Sequence, residues 1–157
     1  MSMVLREELS EGIVAITLNR PESLNALSPA LFSELNQIVT ELSKQTDSVG
    51  CVILRGAGRC FSAGNDLKAV RSGVKAKEKF FQAKTIDLVE KLPQPTIASV
   101  HGHCLTGALE LALACDLMIT SESANLADTH GKWGMVPGWG MSVRLPKRVG
   151  LLKSKEM

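Results

Sequence analysis

Short apolar runs alternate along the chain with stretches in which apolar side chains return every three or four positions. Ile13-Val14-Ala15-Ile16-Thr17-Leu18 and Val52-Ile53-Leu54-Arg55 read as buried strands, and Thr96-Ile97-Ala98-Ser99-Val100 follows Pro93 and Pro95 as another. Leu117-Met118-Ile119-Thr120 completes the set. Between the first two runs, Ser28 caps a helix that opens at Pro29 and carries Leu31, Leu35, Ile38, Val39 and Leu42 at helical spacing. Phe80, Ala83, Ile86 and Val89 mark a further amphipathic helix, polar on the side of Lys77, Glu78, Lys84 and Asp87 and ending before Pro93. Gly107 to Ala114 predicts a short helix that is apolar except at Glu110, and Val149 to Met157 reads as the opening of one more. Strands alternating with helices predict a parallel sheet of crossover units, an α/β fold in one domain.

Composition narrows the class. A chain of 157 residues, 45% hydrophobic with a formal charge of +2, suits one α/β core and is not a strongly basic nucleic-acid binder. Met1 to Glu8 lacks an apolar leader and no later run is long enough to span a bilayer, so no membrane partner and a cytoplasmic setting are expected. The cysteines Cys51, Cys60, Cys104 and Cys115 are scattered without a C-x-x-C pair, which favours free buried thiols over disulfides or zinc ligands; no metal site is expected. Cys60 has no base beside it, and a strand would put His103 on the face opposite Cys104, so thiol catalysis is not favoured.

The candidate chemistry lies in two glycine-containing segments, Phe61-Ser62-Ala63-Gly64-Asn65-Asp66 and Gly102-His103-Cys104-Leu105-Thr106-Gly107-Ala108-Leu109-Glu110. Each follows an apolar strand and opens a helix-like stretch. Small residues let a backbone approach a carbonyl oxygen, and the N–H groups at a helix start point outward with the positive end of the dipole behind them. Facing one another, the segments would form an oxyanion hole. Glu110 is the one charge between Thr106 and Cys115; it sits one helical turn after Gly107, and burial should raise its pKa toward a value useful for proton transfer. Asp66, at a helix start, reads as a cap, and Asp116, ending the Leu111 to Cys115 run before a strand, as structural. Lys68 and Arg71, more than Arg20, Lys75 or Lys77, stand close enough to the first segment to meet phosphates.

These segments, with Asn19-Arg20-Pro21-Glu22-Ser23-Leu24-Asn25-Ala26-Leu27 upstream, resemble the crotonase (enoyl-CoA hydratase/isomerase) superfamily. The resemblance implies a ClpP/crotonase-like spiral of repeated ββα units. Asn65 and Gly107 would supply the oxyanion N–H groups, and Asn25, Ala26, Leu27, Ala63, Gly64, Asp66, Leu67 and Lys68 would bind substrate and coenzyme A. An acyl-CoA thioester is the expected partner, with coenzyme A as part of the substrate and no separate cofactor. The superfamily continues past this point through a helical part that covers the acyl chain and supports trimers, so residues 1–157 are expected to be a core domain lacking that part, and a homotrimer or hexamer is expected where it is present.

Hydratases of the superfamily commonly hold water between two glutamates, the second a few residues before a Gly-x-x-Pro-Gly turn, here Gly134-Met135-Val136-Pro137-Gly138; the matching residue is His130. A histidine can take and return a proton near neutral pH, so Glu110 and His130 form the expected catalytic pair, with Asp128 as a second candidate acid. Trp133 and Trp139 stand where an acyl pocket would be shaped. The expected activity is hydration of a trans-2-enoyl-CoA to a 3-hydroxyacyl-CoA. Enoyl-CoA isomerisation, which needs one base, and a catalytically idle CoA-binding or assembly subunit are the alternatives. A ClpP-like serine protease is disfavoured because neither Ser62 nor Ser99 has a recognisable motif around it.

Overall fold

A strand covered on both faces tolerates an unbroken apolar run, which is why Ile13–Leu18 forms the middle of a sheet rather than an edge. The computed structural model describes residues 2–74 and 76–157, so Lys75 lies outside the described residues. The elements are β1 (Val4–Ser10), β2 (Ile13–Leu18), α1 (Pro29–Leu42), β3 (Cys51–Gly56), α2 (Leu67–Arg71), α3 (Phe81–Glu90), β4 (Thr96–Val100), β5 (His103–Leu105), α4 (Gly107–Leu113), β6 (Leu117–Thr120), β7 (Asn125–Ala127), α5 (Met141–Val149) and α6 (Leu151–Glu156), with 3-10 turns at Pro21–Ser23 and His130–Trp133.

The larger sheet has the order β1-β2-β3-β4-β6. From β2 onward it is parallel, with Ile16 opposite Leu54, Leu54 opposite Ala98 and Ala98 opposite Met118. β1 adds antiparallel to β2, with a bulge between Glu8 and Ser10. No apolar pattern announces β1, since after Val4 an edge strand with one wet face carries Arg6-Glu7-Glu8. A second, smaller parallel ladder runs alongside through Leu27 with Asn65, Ser62 with Cys104, and β5 with β7. Each circuit of the chain thus lays one strand in the large sheet, touches the small ladder, and in most circuits returns through a helix. That is a spiral of ββα units.

Ser28 Oγ accepts from Leu31 N at 3.2 Å and caps α1, which buries Leu31, Phe32, Leu35, Val39 and Leu42 against the sheet. Two expectations need correction. The second amphipathic helix starts one residue later than its pattern suggests: Phe80, at φ 62°, is the left-handed residue before it and is 63% exposed, while Phe81 takes the buried place. The helix expected to open at Val149 starts instead at Leu151 as α6, because Val149 ends α5 and Gly150, at φ 79°, parts the two. All seven residues of α4 are buried, so the sequence's one charged apolar helix sits at the centre of the molecule.

Candidate active site

The small ladder creates the first donor. Leu27 gives its N–H to Gly64 O at 2.8 Å and accepts from Asp66 N at 3.2 Å. In a parallel pair, a residue spanned in this way turns its own N–H and C=O to the opposite side. Asn65 is that residue, and among the described residues nothing accepts its N–H. Ser62 shapes the approach: its buried Oγ donates to Asn25 O at 2.8 Å and accepts from Gly64 N at 3.1 Å, which occupies the hydroxyl and removes it as a nucleophile. Asn25, fully buried at φ 53°, takes the Arg20 N–H at 2.9 Å and donates to Ala57 O and Cys60 O. Gly64 is held at φ 97° with its Cα facing the second segment; a Cβ there would stand 2.0 Å from Thr106 Oγ1 and 2.6 Å from Leu105 O. The two glycine segments are therefore in backbone contact.

The second donor is made by strain. Thr106 has φ 49°, a conformation unfavourable for a β-branched residue, and it swings the chain from β5 directly into α4. Gly107 opens that helix, its N–H has no acceptor among the described residues, and a Cβ on it would meet the Trp139 ring at 2.3 Å. Trp139 packs edge-on against Phe32, with ring centroids 5.1 Å apart.

Glu110 is 1% exposed. Its Oε1 accepts from Trp139 N at 2.7 Å and Met141 N at 3.1 Å. Oε2 faces His130 Nε2 at 3.7 Å. Burial pushes the Glu110 carboxyl above the ordinary range, outweighing those two N–H donors and His130, with Asp128 adding to the rise. His130 is buried, on the 3-10 turn after β7, and its ring Nδ1 lies 2.5 Å from Asp128 Oδ1. Glu110 and His130 share with Asn65, Met135, Val136, Gly138 and Trp139 a cavity of about 110 Å³. It adjoins, through Asn65 and Met135, a cavity of about 390 Å³ walled by Ala63, Leu67, Leu105, Thr106, Thr129, Lys132 and Trp133.

A third cleft, of about 330 Å³, meets the larger cavity at Leu67 and is lined by Arg20, Ala26, Arg59, Asp66 and Lys68 among others. Of the residues expected to bind coenzyme A, Ala26, Ala63, Asp66, Leu67 and Lys68 face these spaces, whereas Asn25 and Leu27 turn inward and shape the walls from behind. Asp66 also caps α2 through Lys68 N and Ala69 N, and pairs with Arg20 at 2.8 Å. Arg71 is absent from the cleft lining, while Arg59 is present; nothing in the local pattern distinguishes Arg59 from any loop arginine. Arg144 was also not legible. It is buried, donates to Trp139 O at 2.7 Å, and reaches Asp87 and Glu90 of α3 at 2.7 and 2.6 Å. Asp116 holds Thr96 N and Oγ1, both at 2.8 Å, in the structural role expected of it.

A ββα spiral with two outward N–H groups beside a buried carboxylate defines a crotonase-type core. The chain belongs to the enoyl-CoA hydratase/isomerase family, whose model matches residues 8–157. It is 38% identical over 148 residues to a peroxisomal protein of Arabidopsis thaliana named as a probable enoyl-CoA hydratase, covering 94% of this chain and 56% of that one. It is 38% identical over 157 residues to an enoyl-CoA isomerase/hydratase of Mycosarcoma maydis, covering 93% and 57%. Among solved structures, enoyl-CoA hydratase from Bacillus anthracis superposes with a TM-score of 0.89 at 38% identity, over 98% of this chain and 61% of that one. The chain thus spans somewhat more than half the length of these curated relatives. Among the described residues no helix is long and apolar enough to cross a membrane.

Proposed function

We propose that the chain carries the enolate-stabilising core of an acyl-CoA enzyme that adds water to a trans-2-enoyl-CoA. The observation that carries this reading is the unpaired N–H of Asn65 and of Gly107 on backbone segments in direct contact, next to a buried Glu110 with one carboxylate oxygen committed and the other facing a cavity. The thioester oxygen would sit on the two N–H groups. As the oxygen of water bonds to C3, the C2=C3 electron pair shifts into an enolate and negative charge moves onto the thioester oxygen, where each donor contributes on the order of 2.7–4 kcal/mol to the charged state. One member of the Glu110/His130 pair takes a proton from water and the other gives one to C2. Raised by burial, the Glu110 carboxyl is suited to exchanging protons nearer neutrality than an ordinary glutamate. The cleft with Arg20, Arg59 and Lys68 is the natural seat for the phosphates of coenzyme A. A cytoplasmic setting, and assembly as a homotrimer or hexamer where the helical C-terminal part is present, complete the proposal and rest on the sequence reading.

Isomerisation is the second reading, favoured by a histidine standing where a second glutamate is usual. It moves a proton from C2 to C4 and needs no water. Purified protein assayed on crotonyl-CoA by loss of enoyl absorbance, and on a 3-enoyl-CoA by its gain, separates the two. Glu110→Gln is expected to lower either activity by about 10²–10⁴-fold. Binding of CoA esters with neither reaction would refute the enzyme reading in favour of an idle binding subunit.

A further inference from the structure

Asp128 Oδ1 serves one residue twice. It accepts the backbone N–H of His130 at 3.0 Å and lies 2.5 Å from the ring Nδ1 of the same residue. A carboxylate only accepts, so the ring proton belongs on Nδ1 and, in the neutral imidazole, Nε2 is a lone-pair acceptor. Nε2 faces Glu110 Oε2 across 3.7 Å, longer than a hydrogen bond, so neither atom is consumed by the other and both remain available to the cavity. Asp128 does not line that cavity.

We propose that Asp128 is a positioning residue: by holding the Nδ1 proton it fixes His130 in the tautomer whose Nε2 faces Glu110, so that the second proton site of the reaction is a histidine flanked by two carboxylates. The proposal rests on the acid–base reading of the Glu110/His130 pair. A proton gained from water at one member is balanced by a proton given to C2 by the other, and exchange with water entering the cavity then restores both for the next turnover. Asp128 also keeps the ring from turning. The ionisable groups facing the ring are Glu110 from α4 and Asp128 from the end of β7; the other cavity walls, Asn65, Met135, Val136, Gly138 and Trp139, are uncharged.

The test reads the ring directly. In a ¹⁵N-labelled chain, two-bond ¹H–¹⁵N correlations of the imidazoles distinguish the tautomers, and His130 is assigned by its loss in His130→Ala. The expected result is Nδ1–H in the wild type and a shift of population toward Nε2–H in Asp128→Ala. A wild-type ring carrying its proton on Nε2 overturns the proposal, as does an unchanged ring in Asp128→Ala. This measurement needs no turnover, so an inactive chain would sink the enzyme reading and leave the tautomer decided independently. In an active chain, Asp128→Asn should lower kcat/KM by up to about 10²-fold. Asp128→Ala should add nothing in a His130→Ala background; an equal loss in both backgrounds also overturns it.

Discussion

Replacing Gly64 by alanine tests whether the two glycine segments meet as closely as the site requires. At φ 97° an L residue is strained, which costs roughly 1–2 kcal/mol. The new Cβ would lie 2.0 Å from Thr106 Oγ1 and 2.6 Å from Leu105 O, and the second of these is backbone that cannot rotate away. Overpacking of this kind adds about 1–3 kcal/mol. The stiffer unfolded chain returns only about 0.4–1 kcal/mol. The net loss should be about 2–4 kcal/mol, a fall in Tm of about 5–15 °C for a domain of this size. Gly134→Ala is the control: it shares a left-handed backbone, φ 62°, but a Cβ there meets nothing within 4 Å, so it isolates the strain. Urea and thermal unfolding followed by circular dichroism give both values. If Gly64→Ala is no more destabilising than Gly134→Ala, the close backbone contact is wrong, and with it the placing of the Asn65 and Gly107 N–H groups on one ligand atom.

Two further outcomes follow from the buried charges and thiols. Arg144→Met should destabilise the fold at neutral pH by about 1–3 kcal/mol, a value held down because Asp87 and Glu90 are half exposed and rehydrate when released. Arg144 holds the Glu90 carboxyl below its ordinary pKa, so this stabilisation is present above the unfolded carboxylate pKa of about 4.3 and is lost as pH falls through the folded value. The gap between variant and wild type in urea midpoints should therefore narrow in acid, and a constant gap would refute the ion pair as its source. Burial pushes the Cys104 and Cys115 thiols up to about 12 and raises Cys60 as well, leaving half-buried Cys51 as the thiol a disulfide reagent should label first in native protein. Peptide mapping that found Cys104 labelled as fast as Cys51 would refute the buried arrangement.

What was legible in the sequence is what local periodicity records. β2, α1 and β4 announce themselves because an unbroken apolar run or a 3.6-residue stripe is the direct imprint of burial, and Ser28-Pro29 marks a helix start by its own chemistry. Glu110 was legible for the converse reason, as a charge among apolar neighbours with no exposed face to occupy. β1, β5 and β7 were not, because an edge strand needs few apolar residues and a strand of three residues has too few positions to show a period. The segment 77–81 misled because Phe80 and Phe81 are equally apolar, and only the left-handed turn at Phe80 decides which of them enters the core. Long-range partners leave no local trace. His130 and Glu110 are paired in the sequence only through the family resemblance at the Gly134–Gly138 turn, since no local periodicity brings a ring to a carboxylate twenty residues earlier; Asp128, expected as a second acid, instead lies against the His130 ring and outside the cavity lining.

The buried acid depends on residues far from the cavity. A carboxylate at 1% exposure must find donors, and Glu110 finds them in the N–H groups of Trp139 and Met141, which belong to a glycine-rich turn with little rigidity of its own. That turn is pinned from the other side: Arg144 takes Trp139 O and is itself clamped by Asp87 and Glu90 of α3, while Gly140, at φ 110°, admits the guanidinium where a Cβ would stand 2.0 Å from Arg144 Nη1. The absence of a side chain at Gly107 then lets the Trp139 ring close over the helix start. Glu110 can be buried and still keep one oxygen toward His130 because an ion cluster on an outer helix fixes the backbone that satisfies the other oxygen. The amphipathic pattern of α3 therefore has a second purpose beyond packing against α1: its polar face supplies the counter-charges that order the site.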